Sequence, residues 1–230
     1  MFMERQGTFS RSVGDFLYKV YAWMGIALGL TAVTAVSVAS SPSLFRAFIG
    51  NKFAFYGIII AQIAIVFGVS FRLHALQFST AAMLLAIYSV LVGITTSVIF
   101  AVFQLPSIAQ IFIASAAMFV TMALYGYYTK ADLSSFGSIM TMGLIGLVVA
   151  SVINLFWANS TFEYVISFFG VIIFTALTAY DSYRIKQLAW ELHSSEEERK
   201  KVALIGALML YLDFINLFMY MLQFLGKRRD

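Results

Sequence analysis

A few ionisable side chains fall where the surrounding sequence offers them no water. Asp213 lies inside the apolar run Leu210-Tyr-Leu-Asp-Phe-Ile-Asn-Leu-Phe218, Asp181 and Arg184 follow the apolar stretch that ends at Tyr180, and Arg72 closes another at Phe71. A charged group within a bilayer costs several kcal/mol and by default marks a functional site. Two carboxylates that face each other in a low-dielectric interior cannot both ionise cheaply, so such a pair shares a proton and responds to pH. Once ionised, the pair offers hard oxygen ligands of the kind that bind Ca²⁺. A guanidinium in reach competes with a cation for the same oxygens, which makes a latch: arginine-paired or protonated when closed, open to a cation when not. Structural roles compete with this reading. Asp181 and Arg184 are spaced for a local ion pair on one helix face. Asn216, three residues past Asp213, can hydrogen-bond it as interhelical glue. Arg72 with His74 can anchor a helix end to the lipid surface.

The elements that must carry these groups follow from composition. The 230-residue chain is 61% hydrophobic and only 11% charged, against about 25% charged in a soluble domain. A soluble fold could not cover its surface with so few polar groups, and a disordered chain requires the opposite balance. Unbroken apolar runs, rather than alternation over about 10 residues, select helices over a barrel. Seven spans are expected, near 17–39, 54–71, 79–103, 107–129, 136–158, 162–184 and 203–225. They predict an all-α seven-transmembrane-helix bundle with the seventh helix, which carries Asp213, toward the centre. The organisation expected is a cytoplasmic segment 1–16, one transmembrane domain 17–225 and a short basic tail 226–230. Gly25, Gly29, Gly143 and Gly146 are expected to let helices approach closely. The absence of cysteine excludes disulfides, thiolate metal sites and a Cys nucleophile. The net charge of +4 reads as anchoring to anionic lipid, not as nucleic-acid binding.

Short connections make consecutive spans antiparallel, and the basic flanks orient them. Ten Lys and Arg fall with the N-terminus and the 2–3, 4–5 and 6–7 connections; five fall on the other side, including Lys227, Arg228 and Arg229. The positive-inside rule then puts the N-terminus in the cytoplasm and the C-terminus outside. Entering near residue 203, the last helix carries Asp213 about 15 Å deep at about 1.5 Å per residue. Leaving near residues 184–187, the sixth carries Asp181 roughly 5–9 Å deep by the same rise. Both then fall in the cytoplasmic half, as does Arg72.

The stretch Leu210–Phe218 resembles the last-helix signature of the Bax inhibitor-1 family, the transmembrane Bax-inhibitor-motif proteins. Phe174-Thr-Ala-Leu-Thr-Ala-Tyr-Asp-Ser-Tyr-Arg-Ile-Lys186 is similar to the family's sixth-helix motif, and Val152-Ile-Asn-Leu-Phe156 to its fifth-helix pattern. Length and seven spans agree over the whole chain, and the lack of a long polar N-terminal extension resembles bacterial members. The resemblance implies a pH-sensitive calcium leak channel of the bacterial inner membrane. Its two-aspartate sensor would be Asp181 and Asp213, which are also the possible Ca²⁺ contacts; the arginine latch would be Arg72, with Asn216 and Arg184 in support. Calcium is then cargo rather than a cofactor, and no cofactor is expected. Its partners would be calcium ions, protons, the lipid bilayer and, in some family members, a membrane protease; nucleic acid is not among them.

Other functions are weighed against this one. A non-conducting regulator that binds a membrane protease or another membrane partner fits the same spans. An intramembrane aspartyl protease also places one Asp on each of two late helices, and Tyr180-Asp181 matches its first motif. Its second motif needs Gly-x-Gly-Asp where this chain has Leu210-Tyr-Leu-Asp213, and prolines occur only at Pro42 and Pro106. A retinal-type receptor needs a lysine in the last helix, and none lies between Val202 and Gly226. Neither a nucleotide-binding loop nor a zinc motif is present. The expectation is therefore a protein that is not an enzyme.

Overall fold

The computed structural model describes the backbone of residues 2–72, 77–191 and 196–229, and the side chains of 14–69, 77–189 and 196–229. Nine helices are described: α1 (Phe2–Ser40), α2 (Pro42–Phe48), α3 (Lys52–Arg72), α4 (Phe78–Thr96), α5 (Ile99–Val102), α6 (Leu105–Tyr128), α7 (Ser134–Trp157), α8 (Ser160–Glu191) and α9 (Glu196–Leu225). Taking α4 and α5 as one, seven helical stretches are long and apolar enough to cross a membrane. The remaining one, α2, is a single short helix in the first connection. Ser41 caps it by accepting a bond from the Leu44 amide, and Pro42 opens it without wasting a donor.

Three boundaries differ from the expected ones. α1 starts at Phe2, α8 runs on to Glu191, and α9 begins at Glu196, so most of the connection expected over 185–202 is helix. Hydropathy marks what lies in lipid, whereas helix continues wherever backbone and charges allow it. At the start of α9 three glutamates stand in the first turn, where the helix dipole favours them, and Glu196 pairs with Lys200 at 2.9 Å. α8 therefore extends about 15 Å beyond Asp181 at about 1.5 Å per residue.

The chain forms two compact units. One holds the chain up to Val102, α9 as far as Leu208, and Arg229; the other holds Phe103–Glu191 and Met209–Arg228. In the first, α1 lies close on α4: a Cβ at Gly93 would meet the Thr31 carbonyl oxygen at 2.7 Å, and the Thr31 hydroxyl donates to the Ser89 carbonyl at 3.0 Å. Gln62 of α3 donates to Thr95 of α4 at 3.1 Å. These are the small-residue contacts and polar ties that hold helices together in lipid, which is as apolar as the side chains themselves.

In the second unit, α6, α7, α8 and the end of α9 run alternately up and down. The end of α6 and the start of α7 meet α8 near Lys186 and Tyr183. At the opposite end, the start of α6, the start of α8 and the end of α9 meet through Ser107, Glu163 and Arg228. Asn154 shapes the turn between α7 and α8. Its side chain accepts from the Asn159 amide at 3.2 Å, beside Ala158 in the left-handed region at φ 48°, and Asn159 in turn caps α8.

The last span is the most buried, with 61% of its apolar window inside, against 6% for α3 and for α7. The expectation of an inner seventh helix holds. Tyr211, Leu217 and Leu222 are fully enclosed, and Phe214 meets Phe112 and Phe119 edge-on at 5.5 Å. The glycines expected to bring helices together do not do so: nothing described lies within 4 Å of a Cβ built at Gly25, Gly29 or Gly146, and Gly143 makes only ordinary contact with Ile173. Close approach falls instead to Gly93, Gly126, Gly137 and Gly170. Spacing along a helix does not reveal which face meets a neighbour and which meets lipid.

Candidate functional site

The site is built where α8 is gripped. A Cβ at Gly126 of α6 would come within 2.0 Å of the Ala179 carbonyl oxygen, and one at Gly137 of α7 within 2.3 Å of the Tyr180 hydroxyl. The two residues before Asp181 are thus seated directly against two glycines, so Asp181 has little freedom to turn away. α9 supplies Asp213. Just beyond it Phe214 is wedged between Phe112 and Phe119, and Phe218 also meets Phe112 at 5.7 Å. Small residues thus fix α8, and an aromatic cluster fixes α9.

Asp181 and Asp213 come together. Their carboxyls interact with one another, and both are deeply buried, at 8% and 4% exposure. Two buried carboxyls in contact can be joined by a hydrogen bond only when one of them carries a proton. The second oxygen of Asp213, Oδ2, has no hydrogen-bond partner, and neither has the neighbouring buried hydroxyl of Ser182. Buried polar atoms are nearly always satisfied, so the pair sits in a region with unspent hydrogen-bonding capacity.

The supporting residues divide. Arg184 is exposed and is the charged neighbour that acts on Asp181 along its own helix. Asn216 turns away from the aspartates: its side-chain amide donates to the Leu212 carbonyl on α9 at 2.8 Å. Arg72 ends α3 as expected, but its guanidinium lies outside the described residues, as does all of His74. Among the described residues no three His, Cys, Asp or Glu cluster as a metal site. Two carboxylates offer at most four oxygens where Ca²⁺ takes about 6–8, so the pair can touch a passing ion but does not enclose a resident one.

Sequence reading did not single out three neighbouring groups. Lys186, counted only as a flanking positive charge, donates to the Tyr127 carbonyl at 2.6 Å and lies over the Tyr127 ring at 5.5 Å. It thereby covers a carbonyl orphaned at the end of α6. Asp132, in the turn before α7, accepts from the Ser134 amide at 2.9 Å, from the Ser134 hydroxyl, and from the Tyr183 hydroxyl at 3.2 Å. Those bonds hold its carboxyl below the usual range, the Ser134 hydroxyl foremost. Gln187 completes the chain by donating to Tyr183. The available signals were a Lys five residues beyond Asp181 and an Asp two residues before Ser134, both common patterns.

Known proteins resemble the chain over nearly its whole length. The family described as "Inhibitor of apoptosis-promoting Bax1" matches residues 13–230. A protein of Escherichia coli K12 named Inner membrane protein YbhL is 40% identical over 215 residues, covering 93% of this chain and 92% of that protein. An uncharacterized protein of Borreliella burgdorferi is 39% identical over 215 residues, 94% of this chain and 93% of its own length. Uncharacterized protein RP147 of Rickettsia prowazekii is 37% identical over 227 residues, 97% of this chain and 94% of its own. With a match across nearly its whole length, the chain belongs to the Bax inhibitor-1 family of membrane proteins.

Proposed function

We propose that this protein is a proton-regulated calcium leak of a bacterial inner membrane, with its N-terminus in the cytoplasm and its C-terminus outside. The observation that carries the reading is the burial of Asp181 on α8 and Asp213 on α9 with their carboxyls acting on one another. While the pair keeps a proton, a hydrogen bond between the two carboxyls ties the helices together. Loss of that proton leaves two negative charges in contact, and at about 4 Å and an effective dielectric near 20 their repulsion is about 4 kcal/mol. That is enough to change a closed-to-open ratio by about a thousandfold. The ionised carboxylates then present oxygens to a cation, and Arg72 at the end of α3 is the positive group that would compete for them. Membrane placement accords with the name of the Escherichia coli relative, an inner membrane protein. No enzymatic step is required of any residue.

The test is calcium entry into proteoliposomes of purified protein across about pH 6 to 8, for wild type and Asp213→Asn. An amide can replace the carboxyl hydrogen bond without a titrating proton, so the variant should stay near its closed-state flux at every pH while the wild type varies. Flux no greater than that of empty liposomes at any pH would reject the leak and favour a non-conducting regulator of a membrane partner. A pH response unchanged in Asp213→Asn would reject the pair as the sensor.

A further inference from the structure

The far end of α9 is tied down by the residues that follow it. Gly226 turns the chain off the helix in a space only glycine can occupy, since a Cβ there would lie 2.2 Å from the Leu222 carbonyl oxygen and 2.9 Å from the Phe103 ring. Residues 227–229 then run antiparallel to residues 102–104. The Gln104 amide donates to the Lys227 carbonyl at 3.0 Å and the Arg229 amide to the Val102 carbonyl at 2.8 Å, with Phe103 opposite Arg228. Further bonds fasten the same segment. The Lys227 amide donates to the Ser107 hydroxyl at 2.9 Å, the Gln104 side chain to the Arg228 carbonyl at 3.3 Å, and the Arg229 guanidinium to the Phe100 carbonyl at 2.9 Å. Arg228 pairs with Glu163 at the start of α8 at 3.0 Å.

What this tail grips is the weakest point of the third span. α5 is only four residues long and is broken from α4 at Ser97 and Val98. Thr95, Thr96 and Ser97 all turn their hydroxyls back onto carbonyls of α4, at 2.6–3.4 Å. Such back-bonding bends helices. So short a helix leaves its terminal carbonyls orphaned; Arg229 satisfies two of them, those of Phe100 and Val102. A hinge and a clamp thus meet at one place. The clamp is continuous with α9, a rod of about 18 Å from Asp213 to Leu225 at about 1.5 Å per residue.

We propose that the C-terminal tail is a strap: docked on residues 102–104, it holds α5 in the closed position, and opening requires it to let go. The proposal rests on the leak described above and deepens it, because a shift of α9 when the aspartate pair separates would pull directly on the strap. The side chains of Arg228 and Arg229 are then part of this fastening.

The chain has no cysteine, so Phe103→Cys with Arg228→Cys creates a single possible disulfide. The two positions form a non-hydrogen-bonded antiparallel pair, whose Cα atoms stand about 4.5 Å apart, within disulfide range. In proteoliposomes at the pH of maximal flux, the oxidised variant should carry about tenfold less calcium than the same sample after reduction, a typical size for coupling between two states. Equal flux in the two redox states, or failure of the disulfide to form under mild oxidation, overturns the strap. A chain ended after Gly226 gives the converse test: its flux at the closing pH should exceed that of the wild type, and an unchanged flux again overturns the strap. A wild type with no flux at any pH would instead reject the leak itself, and gating by the strap with it, even if the disulfide formed readily.

Discussion

Gly126→Ala is the substitution for which the structure gives the sharpest expectation. The added Cβ would sit 2.0 Å from the Ala179 carbonyl oxygen, 2.8 Å from its carbon and 3.0 Å from its Cα. All three are backbone atoms of α8, so no side chain can swing aside. Ordinary contact begins near 3.4 Å, and α6 and α8 must therefore part by about 1 Å or more. Forcing methyl-sized groups into a packed interface costs about 1–3 kcal/mol, and rigid backbone on both sides places this case at the upper end. In a chain of this length each kcal/mol lowers the melting temperature by about 2–4 °C. Thermal unfolding of detergent-purified protein, followed by the fluorescence of its three tryptophans, should show a fall of roughly 6–12 °C on the same basis. The control is Gly146→Ala, where nothing described lies within 4 Å. There the helix gains the better propensity of alanine and stability should hold or rise. Ala179 is two residues before Asp181, so the parting of the helices should also weaken the carboxyl pair and flatten any pH response. Equal melting temperatures for the two variants would refute the argument, because they would mean that α6 and α8 do not touch as described.

Two other outcomes are expected. Lys186→Met keeps the apolar stem but removes the 2.6 Å bond to the Tyr127 carbonyl and the contact with its ring. A hydrogen bond from a charged group contributes about 1.5–3 kcal/mol, so Lys186→Met should melt lower than wild type and Lys186→Arg should recover part of the loss. Asp132 has its carboxyl held low by Ser134 and Tyr183. Its fastening of the α7 start is therefore fully present above about pH 3.9, the unfolded value. It is lost as pH falls through the lower folded value. An NMR titration should show the Ser134 amide shifting only below about pH 3.9, and Asp132→Asn should abolish that titration; a midpoint at or above the unfolded value would contradict the assignment.

Among the particular elements, the spans were legible because lipid allows only one kind of surface. Apolar runs of about 20 residues must be helices there, and each expected span finds its helix, most ends moving by a few residues but the start of α1, the end of α8 and the start of α9 reaching well beyond the apolar run. The exceptions follow from what hydropathy omits. α2 is too short to register, the charged stretch before residue 203 is helical on the strength of its own glutamate–lysine pairing, and the break between α4 and α5 is made by three hydroxyl side chains that look unremarkable in a sequence.

The sequence by itself pointed to Asp213 at depth in the last span, because a carboxyl between Leu210-Tyr-Leu and Phe-Ile-Asn-Leu-Phe218 has no polar surroundings along its own helix; for Asp181 it left a local pair with Arg184 open. It determined the family as well, since the motifs around Asp181 and Asp213 are continuous segments. Tertiary structure decided what faces what. The pairing of Asp181 with Asp213 depends on α8 being seated on Gly126 and Gly137 and α9 on Phe112 and Phe119, contacts between residues tens of positions apart. The same holds for Asn216, which had a partner within its own helix, and for Arg228 and Arg229, whose charges are engaged by Glu163 and the Phe100 carbonyl. Periodicity fixes the direction of a side chain relative to its own helix; only packing fixes what is waiting in that direction.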